Sequence, residues 1–313
     1  MFDRSFLRSL TSLVALASMC GLSSAQEGKP RPVKLESAAD GLPIAATYYP
    51  AKAEQADQKM APVVLLLQGD NENRLVWEKK PTVFSESQQK TKALADVLHD
   101  EGYAVMTIDL RGQGESPLPG GRAVRNADYP AMLGDIEAAK RFLMEEHQAE
   151  RLNINKLGIV AADSAVPLAV NYAKLDWEKP DYDDAPTAAD RTPRGRDVRA
   201  LVLMSPANSA GRVRTLSGIS FTRDPRLKIA TLLLYGKDDP QDDGLSMRIA
   251  GQLRTDDDPL DEYAVVAYPT RFRGTGLIGD GQLNAERHAV NFLNQFLKGL
   301  PSEWVDRRSR LVR

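Results

Sequence analysis

Short apolar runs return along the chain at spacings that leave room for a helix between most of them: APVVLLLQGD from residue 61, YAVMTIDL from 103, LGIVA from 157, VRALVLMSP from 198, IATLLLYG from 229 and EYAVVAYP from 262. A strand that is apolar at nearly every position, rather than at every second one, is covered on both faces. Between the runs lie amphipathic stretches. A helix is expected over residues 87–102, with Leu94, Val97 and Leu98 on one side and Gly102 as its stop, and others over 130–147, 164–174, 243–254 and 282–299. Two further strands, Val33–Glu36 and Ile44–Tyr49, flank the turn-former Asp40-Gly41. This alternation predicts an α/β fold: a mainly parallel, twisted sheet with helices on both faces. The acidic, proline-containing stretch 176–197 reads as an insertion loop. Only about two dozen residues separate VRALVLMSP from IATLLLYG, too few for a large helical lid.

At 313 residues with 42% hydrophobic and 27% charged residues, the chain has ample material for one large core, and its net charge of −2 gives no reason to expect nucleic acid as a partner. The start differs from the rest. Arg4 and Arg8 precede the apolar stretch Leu10–Leu22, and Ser23-Ser24-Ala25 offers small residues before a cut, so residues 1–25 read as a signal peptide cleaved near Ala25. The apolar stretch is too short and too interrupted to imply stable membrane insertion. The expected organisation is therefore a signal peptide over 1–25, one α/β domain over 26–300 and a basic tail over 301–313, exported to the periplasm or beyond the cell. Cys20 is the sole cysteine and falls in the leader, so the mature chain has no disulfide and no thiol nucleophile.

Four segments in this order resemble the α/β-hydrolase fold superfamily, over nearly the whole mature chain. LLLQGD stands where these proteins carry a strand ending in His-Gly, whose loop supplies an oxyanion-binding N–H. DLRGQGES, residues 109–116, resembles the segment Asp-x-Arg-Gly-x-Gly-x-Ser, LLLYGKDDP (232–240) the strand end that presents the triad acid, and AVNFLNQFL the closing helix. The chain is also similar to exported bacterial members whose elbow carries an acid in place of serine. The resemblance implies that Gly69, Asp70 and Ser164 belong to the oxyanion loop region and that Asp239, or its neighbour Asp238, holds the acid position.

The elbow itself is GIVAADSAV, residues 158–166. Nucleophiles on this fold sit in a strained strand-to-helix turn with small neighbours. With Asp163 at the apex the flanking positions are Ala161 and Ala165; with Ser164 there, the β-branched Val166 falls where backbone must approach closely. The steric argument favours Asp163, with Ser164 as an early helical residue capping the helix. Haloalkane dehalogenases and epoxide hydrolases use an aspartate nucleophile on this fold, yet they too need a base, as a serine would. The base is expected from the loop YPTRFRGTGLIGDG, which has no histidine; His99 and His147 fall in helices away from the expected crevice, and His288 lies within the last helix rather than in the loop before it.

Three arrangements of the crevice follow. Asp163 could fold back onto the oxyanion donors at the helix start. Arg271 or Arg273, standing in the base's loop, could pair with Asp163 or Asp239 as a charge network; guanidinium cannot accept a proton. Asp70, Glu72, Asp163 and Asp239 could together hold calcium, although no contiguous ligand loop is present and no metal or other cofactor is expected. Trp77 is expected to pack on the body rather than line a pocket, and the four-arginine end WVDRRSRLVR to be a solvated tail. The reading is a hydrolase-fold protein with a degenerate triad, a pseudoenzyme whose crevice binds a small molecule or a protein. The competing reading is an active esterase, peptidase, dehalogenase or epoxide hydrolase with a base not identified, and a third is an interaction protein working through 176–190 and the tail.

Overall fold

The computed structural model describes residues 28–52, 57–79, 92–253 and 262–312. The signal-peptide reading of 1–25 and the first residues of the helix expected from 87 lie outside them. In chain order the elements are β1 (Arg31–Glu36), β2 (Pro43–Tyr49), β3 (Val63–Leu67), α1 (Leu75–Glu78), α2 (Leu94–Asp100), β4 (Ala104–Ile108), α3 (Tyr129–Gln148), β5 (Leu157–Ala162), α4 (Ala165–Trp177) and β6 (Val198–Met204). A small ribbon follows, β7 (Ser209–Ala210) with β8 (Val213–Arg214), then α5 (Thr215–Thr222), β9 (Ala230–Gly236), α6 (Leu245–Leu253), β10 (Tyr263–Tyr268) and α7 (Ala285–Leu293). The last helix continues as a π-helical turn over Asn294–Lys298.

Eight strands form one sheet in the order β1-β2-β4-β3-β5-β6-β9-β10. β1 runs antiparallel to β2 and β2 antiparallel to β4; every other pairing is parallel. Successive side chains on a strand point to opposite faces, so the apolar runs divide into two cores. Leu65, Leu67, Met106, Ile159, Leu201 and Leu233 pack with Leu143 of α3, Leu168 of α4 and Ile249 of α6. Their neighbours Val64, Leu66, Val105, Val160, Val202 and Leu234 pack the other way, against Leu98 of α2 and Leu293 of α7. Trp77 is fully buried in this second core, as a residue packing on the body. The ribbon and α5 fill the connection between β6 and β9, and among the described residues no large lid stands over the sheet.

The C-terminal segment corrects the expectation of a solvated tail. Trp304 donates its indole N–H to the His147 carbonyl (2.8 Å), and the imidazole Nε2 of His147 meets the Val305 carbonyl at 2.8 Å. Arg307 is 4% exposed; it pairs with Asp197 and donates to the Pro193 (3.0 Å) and Gly195 (2.9 Å) carbonyls. A guanidinium with that many fixed acceptors is a tether; beyond it, Leu311 and Val312 are exposed. Among the described residues no helix is long and apolar enough to cross a membrane.

Candidate functional site

In an open parallel sheet, side chains that follow the strands' carboxyl ends converge on one crevice. Here they come from β3, β5, β9 and β10. β5 ends at Ala162, α4 begins at Ala165, and the reversal between them is made at Asp163 with φ of 49°. A non-glycine residue in that left-handed region is strained and is held there by its surroundings. The Asp163 amide donates to the Met204 carbonyl (2.9 Å), and its own carbonyl accepts from Val166 (3.1 Å) and Ala207 (3.1 Å). Glycines press on it from both sides. A Cβ on Gly69 would stand 3.0 Å from that of Asp163, and one on Gly274 3.4 Å from it. Ser164 lies one residue on and does not cap α4 with its side chain, contrary to expectation. Its hydroxyl instead accepts the Asp70 N–H at 2.8 Å, because the turn aims it back at the β3 loop.

The carboxylate of Asp163 does not fold onto the oxyanion donors either. Its Oδ1 accepts from Arg273 Nε (3.0 Å) and Nη2 (2.7 Å), while Arg273 Nη1 reaches Asp239 Oδ2 at 2.7 Å and Nη2 also meets the Pro206 carbonyl at 3.3 Å. Asp239 is buried and accepts the Gln241 N–H at 2.9 Å; its neighbour Asp238 is exposed. Burial pulls the Arg273 guanidinium toward deprotonation, but the hydrogen bond to Asp239 and the charge of Asp163 more than offset it, leaving its pKa raised. One always-charged group thus links the elbow acid to the strand-end acid. Arg271 is exposed.

The loop after β3 has its donors engaged by other partners. Gly69 N–H donates to Glu72 Oε2 at 3.1 Å, Glu72 Oε1 takes the Thr275 hydroxyl, and Tyr129 donates its hydroxyl to Asp70 Oδ2 at 2.8 Å. Burial, and then the Asp70 carboxylate, push the Tyr129 phenol well above its ordinary pKa. Gln68, fully buried, steadies the loop from beneath: its amide donates to the Ile108 carbonyl (2.9 Å) and to Gln113 Oε1 (2.7 Å), and Gln113 donates in turn to the Gly69 carbonyl (3.0 Å). Beside these groups opens a cavity of about 450 Å³ with Asp70, Glu72, Asn73, Gln113 and Tyr129 in its walls. Among the described residues no group of three or more His, Cys, Asp or Glu side chains is placed to hold a metal ion. Asp163 and Asp239 face one guanidinium, and Asp70 and Glu72 are turned to Tyr129 and Thr275.

The segment 109–116 acts as a structural tie. Asp109 is fully buried, accepts the N–H groups of Arg74 (2.7 Å) and Glu115 (2.9 Å) and pairs with the Arg74 side chain; Arg111 pairs with Asp135 (2.7 Å) and Asp40 (2.8 Å). These bonds lock the loops after β3 and β4 together under the crevice. The histidines have other partners: His99 meets the Pro50 carbonyl, His147 the tail, and His288 the Tyr268 hydroxyl (2.8 Å). None bonds to Asp163 or Ser164.

Two roles were not visible in the sequence. The sequence offers Glu72 as a carboxylate for calcium, whereas its place three residues after Gly69 lets it reach back to that N–H. Gln68 and Gln113 carried no signal, since their partners are distant in sequence.

The sequence model of one family, serine aminopeptidase, S33, matches residues 84–157, a stretch that contains 109–116 and stops before the elbow. The comparison with curated proteins finds no match. Solved structures resemble the chain over most of its length. A predicted CIB-like hydrolase from Thermoplasma acidophilum is 12% identical with a TM-score of 0.57, over 86% of this chain and 99% of that one. An esterase of Pyrococcus furiosus is 13% identical with a TM-score of 0.55, over 86% and 92%. A Pyrococcus horikoshii acylaminoacyl peptidase is 14% identical with a TM-score of 0.57, over 89% of this chain and 43% of that longer one. Likeness at such identities speaks for architecture, and the architecture is the α/β-hydrolase fold.

Proposed function

We propose that this chain is a non-catalytic α/β-hydrolase-fold protein, exported and then acting through what its crevice binds. One observation carries the reading: Arg273 stands between Asp163 and Asp239, where a nucleophile's base would have to take up and return a proton, and a guanidinium does neither. The donors of the β3 loop support it, since Glu72 and the Ser164 hydroxyl already occupy the Gly69 and Asp70 N–H groups that an oxyanion would need. The cavity walled by Asp70, Asn73, Gln113 and Tyr129 supports binding of a polar ligand or partner surface there. Export rests on the Arg4, Arg8, Leu10–Leu22 and Ala25 pattern; mass spectrometry of the protein recovered from a secreting host should find a chain beginning near Gln26.

The catalytic question is tested with a panel of short acyl esters, an epoxide and a haloalkane, given to the purified mature chain and to its Asp163→Ala and Ser164→Ala variants. No turnover above the buffer rate is expected in any of them. Turnover by the parent chain that either substitution abolishes would overturn the proposal.

A further inference from the structure

We propose that a second cavity, at the opposite end of the sheet from the crevice, binds a small organic dianion. The crevice lies beyond the carboxyl ends of β5 and β9, whereas this cavity opens between α3, the chain just after α4, the 176–197 insertion and the tail; Asp197, the residue just before β6, lies behind its wall and pairs with the lining residues Lys140 and Arg307. It measures about 450 Å³. The two segments with no role in the crevice, the insertion and the C-terminal tail, both return to wall it.

Its chemistry is cationic with an apolar side. Lys140, Arg141, Lys179, Arg194 and Arg307 line it, and Glu137 is the acid among them. Glu137 is already bound to Lys179 (2.6 Å) and to the Tyr172 hydroxyl (2.6 Å). Behind the wall two fully buried carboxylates, Asp176 and Asp197, answer Lys140, and Asp197 also answers Arg307. Five positive charges thus face three negative ones, an excess of two. The excess sits on Arg141 and Arg194, which have no carboxylate partner among the described residues and are exposed at the rim; Arg194 lies over the Tyr182 ring at 5.1 Å. Burial, and then the neighbouring Lys140 charge, hold the Lys179 ammonium below its ordinary pKa despite Glu137.

Arginine forks suit phosphate and carboxylate heads alike, and a cavity that supplies two unanswered charges is matched by a dianion rather than a monoanion. Met144, Tyr182 and Pro193 give the organic part of the ligand an apolar wall. The ligand class is therefore a phosphate monoester or a dicarboxylate on a small ring or chain.

Isothermal titration of the whole mature chain at about pH 7.5, where phosphate monoesters are largely dianionic, tests this with phenyl phosphate and phthalate as dianions, benzoate as the monoanion and inorganic phosphate as the head group alone. Saturable binding of either aromatic dianion is expected, weakened by added salt, with benzoate and inorganic phosphate about tenfold weaker or more. The Arg141→Ala/Arg194→Ala variant, which removes exposed side chains and should keep the parent's unliganded melting temperature, should bind at least about tenfold more weakly. Asp70→Asn in the crevice should leave binding unchanged. The proposal fails if neither aromatic dianion binds, if benzoate or inorganic phosphate binds as tightly, or if the rim variant binds like the parent.

Discussion

Removing Arg273 should expose how much of the crevice is held by charge. In Arg273→Ala the Asp239 carboxylate, 2% exposed, loses its only charged partner among the described residues and keeps one backbone N–H, while Asp163, 33% exposed, can be met by water. Breaking a buried pair by deleting one partner costs about 3–5 kcal/mol, and the lower end applies because of the remaining N–H. The Asp163 side is worth less than about 1 kcal/mol after solvent screening. The sum is about 3 kcal/mol, or a fall of roughly 6 °C in melting temperature for a domain of this size. Guanidinium denaturation should show the midpoint shift at unchanged slope, so that the loss is stability and not altered compactness. The decisive comparison is the triple variant Arg273→Met, Asp163→Asn, Asp239→Asn. With no charge left to strand, it should recover most of the deficit. A loss below about 1 kcal/mol in Arg273→Ala, or a triple variant as unstable as the single one, would refute the ion-pair account.

Arg307→Ala should destabilise by about 3 kcal/mol, since it leaves fully buried Asp197 to Lys140 alone, and cutting the chain after Gly299 should cost at least as much; chemical denaturation of both, with losses under about 1 kcal/mol, would mean that the tail is not a tether. His147 predicts an acid-side loss of stability. Burial lowers its pKa in the folded protein from the ordinary 6.5, so the unfolded chain takes the proton first, and the stability present above about pH 6.5 declines as pH falls below it. Urea melts between pH 7 and pH 5 should show a shallower decline in His147→Gln, and an identical slope in the variant would assign the effect elsewhere.

The strands were legible because burial on both faces writes itself as unbroken apolar sequence, and each apolar run became a strand of the one sheet. The helix ends were less so. The last helix starts at Ala285, not 282, after Asn284 takes a left-handed conformation, and finishes as a π turn, features of local backbone geometry that periodicity does not encode. Within the site, small residues around Asp163 could be read from steric need. The hydroxyl of Ser164 could not: capping is the local choice for such a serine, and only the approach of the β3 loop offers it the Asp70 N–H instead. Likewise nothing near Arg307 in sequence discloses that Asp197, far upstream and just before β6, is its partner.

What the sequence by itself determined is whatever depends on composition and short-range spacing: a doubly covered α/β sheet, a strand-to-helix turn at residues 163–164, and the lack of histidine in the loop after β10. Which acid Arg273 meets, which N–H groups are already taken, and that the insertion and tail join around a cationic cavity were decided only by tertiary structure. The physical reason is range. Apolar burial is a property of each segment, whereas a charge is satisfied by whichever partner the fold brings within about 3 Å, and that partner can lie anywhere along the chain.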